Sequence, residues 1–200
     1  MTMKKQDVLL VGVGGQGIIL ASDILGEAAI AAGYDVKKTD TLGMAQRGGS
    51  VVSHVRIASH VWSPLIKEGE VDMLIAFEKL EAARWAQYLK PAGVAIINNH
   101  AIPPLSVNLG TSQYPSNQEV KDILRQRTDK VYFIDGTAKA KELGDIRMLN
   151  IFMLGCISSL LPMELRIWQD CISRALPPKI LDMNMRAFEQ GRKESPHVNL

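Results

Sequence analysis

A run of apolar residues that breaks into glycines and then resumes as a helix constrains this chain more than any other feature. Asp7-Val8-Leu9-Leu10-Val11-Gly12-Val13 reads as a strand without polar alternation, the pattern of a parallel strand covered on both faces. Gly12-Val13-Gly14-Gly15-Gln16-Gly17 then fulfils Gly-x-Gly-x-x-Gly, and Leu20, Ile24, Ala28 and Ala31 form one stripe of a helix over Ile18 to Ala32, stopped by Gly33. Strand, glycine turn and helix in that order predict the opening unit of an α/β sheet, with the first strand central.

The rest of the chain continues the alternation. Strands are expected at Tyr34 to Lys38, Val51 to Ile57, Met73 to Phe77, Val94 to Asn98 and Val131 to Ile134, with a loop over Thr41 to Gly49. Helices are expected near Leu80 to Leu89 and Glu119 to Arg127, with Lys90-Pro91-Ala92-Gly93 as a helix-to-strand turn whose glycine allows positive φ. After Asp135 the strand signals fade into three helices at about Leu149 to Leu161, Glu164 to Leu176 and Lys179 to Gln190. Leu165, Trp168, Ile172 and Leu176 mark the buried stripe of the second. The reading is therefore a Rossmann-like, three-layer α/β fold with a mostly parallel sheet and a helical C-terminal part: one domain over residues 1–192 and a loose tail over 193–200.

Composition narrows the functions. With 23 Lys+Arg against 21 Asp+Glu the net charge is +2, so charge alone implies no polyanion partner, and no basic-aromatic alternation recommends nucleic acid. The uncharged stretch from Met148 to Met163 is too short for a bilayer and contains Asn150 and Pro162; Asp7 and the glycines interrupt any secretory signal, so a non-membrane, cytoplasmic protein is expected. Two cysteines, Cys156 and Cys171, are too few for a four-thiolate cluster, and the histidines at 54, 60, 100 and 197 show no short metal spacing; no metal site is expected. Most of the nine methionines read as adaptable packing, and Trp62, Trp85 and Trp168 as core or interface anchors.

Residues that could meet a ligand gather at strand ends. Gly12, Gly14, Gly15, Gln16 and Gly17 let backbone N–H groups approach a phosphate at a helix N-terminus, although the same glycines also suit tight strand–helix packing. Arg47-Gly48-Gly49-Ser50 presents a guanidinium on a permissive backbone, either for a carboxylate or phosphate or merely on a surface loop. Glu78 follows a strand and either faces the same crevice or caps the next helix. Asn150, in an otherwise apolar helix, needs hydrogen-bond partners in the loops or backbone. A nicotinamide ribose would want a carboxylate closing the second strand, where Lys37 and Lys38 stand between Asp35 and Asp40. No nucleophile–base set is apparent, so no catalytic residue is assigned.

In order along the chain, the glycine loop, Thr41-Leu42-Gly43-Met44-Ala45-Gln46-Arg47-Gly48-Gly49-Ser50, Ser63-Pro64 and Asp72 to Glu78 resemble the gamma-type domain of 2-oxoacid:ferredoxin oxidoreductases. Asn150 to Gly155 and Asn184 to Gly191 add a likeness to the beta subunits of its indolepyruvate branch. Leu42 and Ala45 depart from the commoner Tyr-Gly-x-Glu-x-Arg-Gly-Gly form of that loop. The resemblance implies an accessory subunit, inactive alone, whose partner alpha subunit holds thiamine diphosphate and iron–sulfur clusters. The complex would convert a 2-oxoacid, indolepyruvate or another arylpyruvate, with coenzyme A to an acyl-CoA while reducing ferredoxin. Gly12 to Gly17, Arg47 to Ser50 and Glu78 would then form a rim that receives coenzyme A or docks the alpha subunit. The alternatives are a stand-alone NAD(P)-binding oxidoreductase and a noncatalytic interaction module, with a homodimer through the helical C-terminus as one form of it.

Overall fold

A computed structural model describes residues 5–42 and 48–196. In them β1 (Gln6–Val13) leads through the glycine turn into α1 (Ile18–Ala31), and β2 (Asp35–Leu42) and β3 (Ser50–Ala58) follow. Then come β4 (Val71–Ala76), α2 (Lys79–Arg84), a 3-10 turn (Ala86–Tyr88), β5 (Leu89–Asn98), the short α3 (Leu105–Asn108), α4 (Asn117–Arg125) and β6 (Val131–Ile134). The C-terminal part is α5 (Gly136–Glu142), a 3-10 turn (Ile146–Met148), α6 (Leu149–Ser158), α7 (Leu165–Ala175) and α8 (Pro178–Lys193).

The strands form one sheet in the order β2-β3-β1-β4-β5-β6. β3 is antiparallel to both β1 and β2, while β1, β4, β5 and β6 pair parallel. β1 is thus central, as its uninterrupted apolar run requires. Alternate residues feed two separate cores. Val8, Leu10, Met73, Ile75, Val94 and Ile96 pack with α1 and α6 to α8; Leu9, Val11, Leu74, Ala76, Ala95 and Ile97 pack with α2 and α4. Each fully buried branched side chain of this kind contributes about 1.5–3 kcal/mol relative to exposure.

Several expected boundaries shift. β2 continues to Leu42, so Thr41 and Leu42 belong to a strand rather than a loop, because pairing to β3 persists through Leu42↔Val51. Residues 90–93, expected as a turn, lie within β5; the register to β4 shifts between Val71 and Met73. The positive φ there falls on Ala92, at 63°, not on Gly93. Gly93 answers a close approach instead, since a Cβ would stand 3.0 Å from the carbonyl oxygens of Lys90 and Val71. α5 was not anticipated; its GTAKAKE sequence offers no apolar stripe beyond its alanines. α8 extends to Lys193, so the expected tail begins as helix. Trp168 and Ile172 on α7 and Leu176 just after it are buried, but Leu165 is exposed. Trp62, read as a core or interface anchor, is 89% exposed, which removes the core alternative alone.

Candidate functional site

The glycine turn stands at the carboxyl end of β1, and the structure brings the second glycine segment to it. Val13 pairs with Ser50 at the end of the β1–β3 ladder, and one rung further the Gly14 N–H donates to the Gly49 carbonyl at 2.8 Å. Gly12 to Gly17 and Gly48 to Ser50 therefore form one continuous rim. Arg47 lies outside the described residues.

Within the motif the residues divide their work. A Cβ on Gly12 would lie 2.8 Å from Gln16 Oε1 and 2.9 Å from Phe77 Cβ, so this glycine permits the turn to close onto β4. Gln16 folds back as a strut: Oε1 accepts from the Val13 N–H at 2.8 Å, and Nε2 donates to the Phe77 carbonyl at 2.9 Å. Gly17 caps α1 in the left-handed region (φ 77°), pressed against Asn150, whose Nδ2 would meet a Cβ at 2.7 Å. Asn150 is buried, and its Oδ1 accepts from the Ile151 N–H at 2.9 Å. It both meets the loop and satisfies backbone, the two roles the sequence left open. Gly15, at φ 103°, has nothing within 4 Å of where a Cβ would stand.

The Gly14 and Gln16 amides are consumed by Gly49 and Val13, so they are not free for a ligand. The first α1 bond, Ala21 N–H to Gly17 O, leaves the amides of Ile18, Ile19 and Leu20 in the unpaired first turn of a 14-residue helix without an acidic residue there. A phosphate approaching past Gly15 would meet those donors and the positive end of the helix.

Glu78 is 1% exposed and spends its carboxylate on protein partners. It caps α2 by accepting from the Glu81 N–H at 3.0 Å, accepts from the Ile102 N–H at 3.0 Å, and receives the Tyr114 hydroxyl. Of its two expected roles the helix cap is the one occupied. Burial and the Glu78 carboxylate push the Tyr114 phenol well above its ordinary range, so it remains a donor. The neighbouring His100 is pushed down, by burial first and then by Lys141.

Glu81 and Asn98 were missed. Glu81, 2% exposed, takes the Ser50 hydroxyl at 2.5 Å and Arg84 Nη1 at 2.6 Å. Asn98, fully buried, donates through Nδ2 to Phe77 O at 2.9 Å and Thr137 Oγ1 at 2.8 Å, and accepts from the Thr137 N–H at 3.0 Å. The signal for Glu81 was present in Glu78-Lys79-Leu80-Glu81: two acids three apart opening a helix after a strand. Residues 77–81 consequently anchor the glycine turn, the start of β3, the end of β5 and the loop through Tyr114.

A dinucleotide reading meets an obstacle in the strand order. β3 separates β2 from β1, so the end of β2 stands two strand spacings, about 10 Å, from the glycine turn. Asp40 accepts from Ser53 Oγ at 2.5 Å, Asp35 from the Val61 N–H at 2.8 Å, and Lys38 pairs with Asp23 and Asp40. Those groups serve β2 and its neighbours, not a ribose beside β1. Cys156 and Cys171 are both buried in helices, and burial pushes the Cys156 thiol up. Among the described residues no helix is long and apolar enough to cross a membrane.

Comparison with known proteins gives a single direction. The sequence profile of the family described as pyruvate ferredoxin/flavodoxin oxidoreductase matches residues 7–194. The indolepyruvate oxidoreductase subunit IorB of Thermococcus kodakarensis is 38% identical over 199 residues, covering 98% of each chain. The gamma subunit of a keto/oxoacid ferredoxin oxidoreductase from Geobacter sulfurreducens superposes with a TM-score of 0.70 at 24% identity, over 95% of this chain and 98% of that one. The 2-oxoglutarate:ferredoxin oxidoreductase of Magnetococcus marinus, with 2-oxoglutarate, coenzyme A and succinyl-CoA bound, gives 0.75 at 20% identity, over 98% of this chain and 32% of that one. At such identities the two solved structures speak to fold alone.

Proposed function

The chain belongs to the pyruvate ferredoxin/flavodoxin oxidoreductase family, and from that premise we propose that it is the accessory subunit of an indolepyruvate or related arylpyruvate:ferredoxin oxidoreductase. On this reading a partner alpha subunit carries thiamine diphosphate and the iron–sulfur clusters, and its cofactors perform the bond cleavage and electron transfer. The arylpyruvate loses carbon dioxide, coenzyme A takes the arylacetyl group as a thioester, and two electrons pass to ferredoxin. This chain contributes shape and electrostatics rather than a reacting group.

The observation that carries the proposal is the stitched rim, in which Gly14 N–H meets Gly49 O and leaves Gly15 open at the start of α1. Such a rim suits two roles. It can receive coenzyme A phosphates through the first-turn amides of α1, or it can lie flat against the alpha subunit. Either role places the work at Gly12, Gly14, Gly15, Gln16, Gly17, Arg47, Gly48, Gly49 and Ser50. Glu78 stands apart from these residues, its carboxylate taken by the Glu81 and Ile102 amides and the Tyr114 hydroxyl.

The test combines this chain with its alpha subunit and follows viologen reduction by indolepyruvate and coenzyme A. The mixture is expected to turn over and either chain alone to be inactive. Oxidation of arylpyruvates by the isolated chain, or a mixture with no coenzyme A-dependent activity, sinks the proposal. Gly15→Asp and Arg47→Ala separate the two roles: a raised KM for coenzyme A with intact assembly favours the ligand, and weakened assembly favours docking. If both variants leave assembly and turnover unchanged, the rim assignment is wrong.

A further inference from the structure

The rim is made from the last rung of a two-strand ladder, and such ends fray unless something beyond the ladder ties them down. The β1–β3 pairing ends at Val13↔Ser50, and among the described residues the backbone bond that lies past it is Gly14 N–H to Gly49 O, at 2.8 Å. The tie sits on the opposite element. The Ser50 hydroxyl donates at 2.5 Å to Glu81 Oε2, while Glu81 Oε1 takes Arg84 Nη1 at 2.6 Å. Glu81 is 2% exposed, next to the fully buried Ala82 on α2. We infer that Glu81 is a positioning residue: by taking the Ser50 hydroxyl it holds the Gly48–Ser50 segment where Gly49 meets Gly14.

Ser50 shares its face of β3 with Val52, which packs in the core beneath α2, so the hydroxyl reaches α2 without disturbing the strand. A hydrogen bond to a carboxylate is roughly twice as strong as one between neutral groups, and here both oxygens of the acid have donors. Glu78, one turn earlier, performs the corresponding service for the other wall through the Ile102 N–H and the Tyr114 hydroxyl. The two acids thus hold separate loops, and disturbing one leaves the other in place.

This inference rests on the rim reading above only for its catalytic consequence; the positioning itself is read from the full chain without a partner. Amide hydrogen exchange at Gly14 reports the Gly49 contact. Ser50→Ala is expected to speed exchange at Gly14 by about tenfold, on the order of one charge-assisted bond, with Glu81→Gln intermediate and Ser50→Thr close to the unaltered chain. Exchange at Ile102, held by Glu78, and at Leu9 to Val11 is expected to stay put. Unchanged Gly14 exchange in Ser50→Ala, or equal acceleration at Gly14, Ile102 and Leu9 to Val11, overturns the inference. In the reconstituted complex Ser50→Ala is then expected to raise the coenzyme A KM or the subunit Kd several-fold while kcat holds, and Ser50→Thr to restore it. A complex without arylpyruvate activity would end the functional proposal and leave the exchange result to decide Glu81.

Discussion

Two places in this molecule bring glycines together, and they do so for opposite reasons. Between α6 and α8 the glycines let two backbones touch: a Cβ on Gly155 would fall 2.1 Å from the Phe188 carbonyl oxygen, and one on Gly191 would fall 2.0 Å from that of Phe152. At the rim, Gly15 faces open space, although Gly12 and Gly17 of the same motif are pressed against Gln16, Phe77 and Asn150. A glycine motif therefore does not announce its use. Only the neighbours decide whether the missing side chain closes a core or leaves a doorway.

The comparison breaks most easily at the helix pair. Gly191→Ala is expected to cost about 3 kcal/mol or more, because relief requires moving a backbone rather than a flexible side-chain end. For a chain of this size that is a fall of roughly 6–12 °C in Tm, read by circular dichroism. Gly155→Ala should do the same, and the pair should be far from additive, since both open one interface. A loss near zero for either would mean that α6 and α8 are not in backbone contact.

Inside the rim motif the same substitution sorts the glycines. Gly12→Ala is expected to cost about 2 kcal/mol, because the nearest obstacles include Phe77 Cβ as well as the movable end of Gln16. Gly15→Ala meets no atoms and carries only the strain of φ 103°, about 1 kcal/mol. Urea unfolding of the two variants tests the order. Gly15→Asp should match Gly15→Ala in stability yet reduce turnover or assembly by tenfold or more if the doorway is used. Equal losses at positions 12 and 15 would erase the distinction.

The sequence carried the sheet and the location of the rim further than it carried the rim's construction. The uninterrupted β1 run could only be central, the helix over 149–161 stood out as a continuous apolar stretch that the fold buries on every side, and that over 164–176 as an apolar stripe. Strand order was not legible, because nothing local in β2 or β3 says that β3 turns back to lie between β2 and β1. That one insertion moves Asp40 away from the glycine turn. Glu78 was visible as a strand-end acid, but its engagement by Ile102 and Tyr114 depends on a loop 24 and 36 residues further on. Glu81 escaped for the same reason, since its partner Ser50 lies 31 residues upstream, at the start of β3. α5 escaped because it has few apolar positions to display a period.

A final contrast concerns protons. The helix pair packs around apolar side chains and a Cys156 thiol that burial pushes up, keeping it neutral from pH 8 down to 5. The sheet side holds His54, 4% exposed in mid-β3, whose Nδ1 accepts from the Ile66 N–H at 3.3 Å. Burial first, and the positive Arg56 second, hold its pKa below the ordinary value, so the folded chain keeps the imidazole neutral while the unfolded chain protonates it near 6.5. A folded pKa lowered in this way gives stability that is fully present above 6.5 and is lost as the pH falls below it. His54→Asn keeps an acceptor for Ile66 without the proton site and should flatten the dependence of urea-unfolding stability between pH 7 and 5, leaving the share due to His100, whose pKa is also lowered. Gly191→Ala should lower stability by the same amount at every pH and leave the slope intact. If His54→Asn keeps the full slope, the proton is taken up elsewhere, and the buried β3 imidazole is not what distinguishes the two regions.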